Sequence, residues 1–227
     1  MSSRSQPDAM PFKAALFDMD GLLLDTERVA QASFIDATRA FDISDDAAEE
    51  MFMQLVGHSW AENIRQMVGF LPSRDTESFR KIWNDSFQTR IEAHVPLRPH
   101  VPEVIAQLAS SGLTMAVVTS TKTMQARSQL DRAGLLSAFV TVIGGDAVAA
   151  HKPDPAPYLA GSKAVGCAPD HCAAFEDSDP GVHAATSAGC TVWQVPDLRD
   201  NTRPLPDLGQ GIADTLLDAV RNAGLIG

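Results

Sequence analysis

The chain has 227 residues, 44% hydrophobic and 21% charged, enough for a sizeable core and unlike a disordered or fibrous composition. Its formal net charge of -11 opposes a phosphate backbone and an anionic lipid surface alike, which argues against nucleic-acid and membrane partners. Three cysteines, no apolar leader-like run and no segment near the roughly 18 apolar residues of a membrane span make a cytoplasmic enzyme or binding protein the expectation.

Residues 1–11 are small and polar with two prolines, so a loose tail is expected there. β-rich runs follow at "AALFD" (14–18), "TMAVVTS" (114–120), "FVTVIGG" (139–145), "CAAFED" (172–177) and "TVWQV" (191–195). The last four alternate with segments of helical spacing such as "TMQARSQLDRAG" and "PGVHAATSAG", several closed by glycine as a helix C-cap. Strands that alternate with helices and read as continuous apolar runs predict an α/β fold, a doubly wound, Rossmann-like parallel sheet covered on both faces.

The long interval after the first run needs its own structure. Between Arg28 and His94 apolar residues recur at helical steps: Met51, Phe52, Leu55 and Val56; Ile64, Met67 and Val68; Phe79, Ile82, Trp83, Phe87 and Ile91. Ser59 with Glu62 reads as a capping box. This predicts a small all-helical insert over 27–95, entered through "LLLDTE" and left through "HVPLRPHVP", within a main domain of 12–26 and 96–227. Two crossings side by side would let the insert move as a lid.

In open parallel sheets, ligands bind beyond the carboxyl ends of the strands. Asp18 and Asp20 follow the first run, Thr119 and Ser120 end the second, His151 and Lys152 follow the third, and Glu176 and Asp177 end the fourth. All these polar clusters fall on one predicted edge. Two like charges at about 4 Å repel by roughly 4 kcal/mol at an effective dielectric of 20, so four carboxylates there require protons or a cation. Carboxylates without a Cys or His cluster suit a hard ion such as Mg²⁺, and a lysine, hydroxyls and backbone N–H groups suit a phosphate. Mg²⁺-assisted phosphoryl chemistry follows as the expectation.

The segments "DMDG" with "LLLDTE", "VVTST", "HKPDPAPY" and "FEDSDPGVHAATSAG" resemble the four motifs of the haloacid dehalogenase superfamily of phosphohydrolases. The likeness spans about residues 12–195 and is strongest to the branch of β-phosphoglucomutase and small sugar-phosphate phosphatases, whose helical cap is inserted after the first motif. The resemblance implies that Asp18 is the nucleophile that forms a phosphoaspartate, and that Asp20 is general acid and then base, its backbone carbonyl also a metal ligand. It implies further that Gly21 allows a sharp turn beside the phosphate, that Thr119 and the Ser120 N–H bind the phosphoryl group, and that Lys152 neutralises it. Asp18, Asp20 and Asp177 would hold Mg²⁺, with Glu176 assisting directly or through water. Asp179, followed by Pro180, reads as the N-cap of the helix behind them. Asp25 and Thr26 would begin the hinge.

β-Phosphoglucomutases carry a cap arginine after a "GxS" turn and a histidine early in the first cap helix. Here "GHSWAEN" has Trp60 at the first place, and Ala30 stands at the second. Both differences favour a phosphatase acting on a small phosphorylated metabolite over a mutase, which stays as the alternative. A catalytically silent binding protein on the same fold is disfavoured because the nucleophile, acid and metal ligands are all present. A monomer or homodimer is expected. "DHC" (170–172) is expected to put His171 and Cys172 on opposite faces of a strand, and Trp83 reads as part of the insert's core.

Overall fold

The computed structural model describes residues 12–56, 60–71, 75–199 and 204–227, with side chains left out of the description at 60–62 and 64. The expected tail (1–11), Ser59 and the side chains of Trp60 and Glu62 therefore lie outside what is described here.

Six strands form one parallel sheet in the order β3-β2-β1-β4-β5-β6. These are β1 (Ala14–Phe17), β2 (Thr114–Val118), β3 (Thr141–Ile143), β4 (Cys172–Glu176), β5 (Thr191–Gln194) and β6 (Gly211–Ile212). β1 lies at the centre and is buried throughout. Alternate residues serve opposite faces, as the two-residue period of a strand requires. Ala15, Phe17, Met115, Val117, Ala173 and Phe175 pack on one face with α5 (Val101–Ser110), α6 (Thr123–Arg132) and α9 (Leu216–Asn222). Ala14, Leu16, Ala116, Val118, Cys172 and Ala174 pack on the other with α7 (Ala156–Ala164) and α8 (Asp179–Ala188). Phe17 and Phe175 stack with centroids 5.0 Å apart, which ties the two strands that carry most of the acids.

The predicted doubly wound sheet is present, with differences in detail. Strand β2 ends at Val118, where Thr119 turns to Asp20, and β3 covers only 141–143, after which Gly144 and the 3-10 turn from Gly145 lead the chain away. Strand β6 has two residues, too short for any periodicity, and its Gly211 is required by Trp193, whose ring would stand 2.7 Å from a Cβ there. His171 sits exposed in a 3-10 turn just before β4 rather than on a strand face, while Cys172 is buried.

Four helices, α1 (Thr26–Arg39), α2 (Asp45–Leu55), α3 (Trp60–Phe70) and α4 (Thr76–Ala93), fill the interval between β1 and the rest. They have their own apolar cluster, in which Phe34 meets Phe52, Phe79 and Trp83 with centroids 5.1 to 5.6 Å away. The Trp83 indole N–H donates to Ala30 O at 2.9 Å, so Trp83 is a structural member of this cluster as expected. Val68 and Ile82, counted among the apolar stripe, are instead partly open to solvent at 38% and 37%. The entering and leaving linkers are bonded to each other: Asp25 N to Pro96 O and Arg98 N to Leu23 O, both at 3.0 Å, around an antiparallel bridge between Leu24 and Leu97. No described helix is long and apolar enough to cross a membrane.

Candidate active site

The register Phe17↔Phe175 between β1 and β4 sets Asp18 beside Glu176, and Asp18 N donates to Phe175 O at 3.0 Å. β2 flanks β1 on its other side, so Thr119 arrives at the same edge. After Met19 the chain turns back on itself, with Leu23 N and Leu24 N both bonded to Met19 O. Gly21 takes φ +81° in this turn, and a Cβ there would stand 2.4 Å from Asp177 Oδ2. Only glycine satisfies both the backbone and the carboxylate pressed against it.

Lys152 is the cation of the site. Its Nζ donates to Asp18 Oδ1, to Glu176 Oε1 at 2.5 Å and to Val118 O at 3.0 Å. Glu176 is fully buried and both of its oxygens are occupied. Oε1 also accepts the Tyr158 hydroxyl at 2.7 Å, and Oε2 accepts from Ser178 N at 3.3 Å and Ser178 Oγ at 3.1 Å. It lies so close to the start of α8 that Gly181 has no room for a Cβ, which would fall 1.9 Å from Oε1. Ser178, rather than the expected Asp179, is the N-cap of α8: its side chain accepts from Gly181 N at 3.2 Å. Asp179 is the first helical residue, and its carboxylate takes Gln194 Nε2 at 2.8 Å.

Asp18, Glu176 and Asp177 bring ligand oxygens within 4.8 Å of one another. Burial pushes Asp18 up to about 8 against the pull of Lys152, with Glu176 and Asp20 adding to the rise. Burial, then the charges of Asp18 and Glu176, also hold Asp177 well above the carboxylate range. Burial would lower Lys152, yet the Asp18 and Glu176 carboxylates lift it above the usual lysine value. Once ionised, three acids beside one lysine would leave excess negative charge in a largely buried crevice. All-oxygen donors with that excess fit a hard divalent cation.

Asp20 is held by hydroxyl groups. Thr26 Oγ1 donates to its Oδ1 at 2.8 Å, Thr121 Oγ1 to its Oδ2 at 2.8 Å, and Thr119 Oγ1 to the same Oδ2 at a longer 3.3 Å. Thr119 Oγ1 in turn accepts Thr121 N at 3.1 Å. Ser120 and His151 are exposed at the rim. Thr121 and Tyr158 escaped the sequence reading, since a threonine inside "VVTSTK" and a tyrosine on a helix carry no motif of their own. Glu27 and Asp197 also escaped it. Burial, then Asp20, Asp197 and Asp25, raise Glu27 to about 7, and its charge is felt at Asp177. Asp25 makes no side-chain cap on α1; it pairs with Arg28 at 2.7 Å instead.

The family model described as haloacid dehalogenase-like hydrolase matches residues 15–195, which include Asp18, Asp20, Glu176, Asp177 and Lys152. The chain belongs to the haloacid dehalogenase-like hydrolases. Among its relatives is the phosphorylated carbohydrates phosphatase of Thermotoga maritima, 29% identical over 178 residues, 78% of this chain and 82% of that one. The phosphoglycolate phosphatase of Shigella boydii is 28% identical, covering 78% and 79%. In fold the chain is similar to a haloacid dehalogenase family hydrolase from Deinococcus radiodurans R1 solved with bound phosphate and sodium. Its TM-score is 0.76 at 23% identity, covering 96% of this chain and 99% of that one. Within the family the chain is a phosphoric monoester hydrolase.

Proposed function

We propose that this chain is a Mg²⁺-dependent phosphatase that hydrolyses a small phosphorylated metabolite of the sugar-phosphate class through a phosphoaspartate at Asp18. The observation that carries the reading is the division between two acids at the end of β1. Asp18 is paired with Lys152, while Asp20 is held apart by three threonine hydroxyls.

In this reading an Asp18 carboxylate oxygen attacks phosphorus, and the bond from phosphorus to the departing oxygen breaks. Asp20 gives its proton to that oxygen, then takes one from the water that cleaves the phosphoaspartate and frees phosphate. Lys152 balances negative charge on Asp18 and the transferring oxygens. Thr119 and the Ser120 N–H face the phosphoryl group, and Thr26 and Thr121 orient Asp20. Asp18, Asp177 and the Asp20 backbone carbonyl would hold Mg²⁺, with Glu176 acting mainly through Lys152, since its oxygens are already bonded. When bound, the ion neutralises charge on the phosphoryl oxygens. Residues 27–95 act as a cap over the 12–26 and 96–227 core. The three unpaired thiols suit the cytoplasm, and a monomer or homodimer suffices.

The test is phosphate release from a panel of sugar phosphates, phosphoglycolate and nucleotides, with and without Mg²⁺. Mg²⁺-dependent release lost in Asp18→Asn is the expected result; release unaffected by that substitution would overturn the mechanism. β-Glucose 1-phosphate converted to glucose 6-phosphate without free phosphate would favour the mutase.

A further inference from the structure

Asp197 lies in the loop after β5 with its side chain only 1% exposed. Two guanidinium groups meet it on a single oxygen: Arg28 Nη1 at 2.8 Å and Arg98 Nη1 at 2.7 Å, both on Oδ1. The other oxygen, Oδ2, is buried and has no hydrogen-bond partner. A buried acceptor left unmatched costs about 1–3 kcal/mol, so its persistence calls for a donor from outside the chain. Gly21 shows where that donor would sit. A Cβ on Gly21 would be 2.4 Å from Asp177 Oδ2 and 3.5 Å from Asp197 Oδ2, so the two carboxylates face one methyl-sized space at the margin of the acid cluster.

A hard divalent ion retains several waters, and each of them has hydrogen atoms to donate. We propose that Asp197 Oδ2 accepts a hydrogen bond from a water on the cation held by Asp18 and Asp177, so that Asp197 anchors the metal site from its outer sphere. The inference rests on the Mg²⁺ reading above and adds a residue that no motif marks. The arginines fix the carboxylate by occupying Oδ1 and leaving Oδ2 directed at the crevice. Because Arg28 is on α1 and Arg98 on the returning linker, one carboxylate serves both the ion and the two chain crossings into the helical insert. Leu198, the next residue, packs against the insert's apolar cluster, so the same loop touches both parts.

Titration calorimetry of Mn²⁺ into the 227-residue chain tests this without any turnover. Asp197→Asn keeps an oxygen for the arginines but replaces the free acceptor with a donor, and it should raise the Mn²⁺ Kd at least about tenfold. Arg28→Gln loosens the arginine clamp yet keeps the acceptor, and it should move the Kd much less. Equal Kd values for wild type and Asp197→Asn, or a larger effect from Arg28→Gln, would overturn the inference and leave Asp197 a structural tie. Wild type that binds no Mn²⁺, or Asp177→Asn that binds as tightly as wild type, would overturn the metal reading together with it. Should Asp197→Asn not fold, the crystal structure of wild type with Mn²⁺ decides. An ion-bound water within hydrogen-bond distance of Oδ2 supports the proposal, and Oδ2 bonded instead to the nearby Glu27 carboxyl refutes it.

Discussion

Glu176 Oε1 lies 2.5 Å from Lys152 Nζ at the buried end of β4, and Tyr158 donates its hydroxyl to the same oxygen. Lys152 is therefore fixed from behind by a group with no opening to solvent. Lys152→Met should lower kcat about 10²–10³-fold, the usual loss for a preorganised charge-stabilising group. Glu176→Gln should lower it less, because Asp18 and Val118 O still hold the amine. Tyr158→Phe should lower stability by about 1.5–3 kcal/mol in urea titrations, the worth of a hydrogen bond to a charged group. A kcat in Glu176→Gln below that of Lys152→Met would contradict this order.

Thr121 makes the shorter of the two hydroxyl bonds to Asp20 Oδ2, 2.8 Å against 3.3 Å from Thr119. Thr121→Val should reduce kcat about tenfold or more, as the loss of a bond to a charged group of about 1.5–3 kcal/mol predicts. Thr121→Ser should restore most of it. Single-turnover phosphate release is the measurement, and equal rates for the valine and serine variants would show that the hydroxyl is idle.

Without metal, burial holds Asp18 at about 8 and Glu27 at about 7, whereas the unfolded chain releases both protons near pH 4. The folded form thus binds these protons more tightly, and the stability they contribute is complete below about pH 4 and lost as pH rises through 7 and 8. The thermal midpoint of metal-free protein should fall from pH 6 to pH 9. Added Mg²⁺ should raise the midpoint more at pH 8.5 than at pH 6, since it binds the ionised ligands. A metal-induced shift that shrinks with pH would run against the proposed ligands.

Gly21→Ala combines a positive φ of +81° with a Cβ 2.4 Å from Asp177 Oδ2. It should destabilise the fold by about 1–2 kcal/mol through the backbone alone and displace Asp177, weakening Mg²⁺ binding. Calorimetry and urea unfolding read the two effects separately. Unchanged metal affinity in a folded Gly21→Ala would mean that Asp177 has room to move.

The sheet and the four-acid edge were legible because buried parallel strands read as apolar runs that stop on polar residues, as "AALF" stops at Asp18 and "CAAFE" at Asp177. The cap of α8 was misread because Ser178, Asp179 and Pro180 all suit a helix start, and only geometry tells which residue receives Gly181 N. Asp197 was invisible for a different reason. Its partners Arg28, on α1, and Arg98, on the returning linker, stand far away in sequence, and no local pattern announces a contact that only the folded topology makes.

The bonds between Leu23 and Arg98 and between Asp25 and Pro96 place the two ends of the helical insert side by side. A two-residue hairpin turn joining Asp25 to Pro96 would close that ladder with little loss of chain entropy. The sheet would then be a socket, and the four helices a cartridge exchangeable for another of any length. Chemistry would stay with the strand ends while selectivity is replaced as a block.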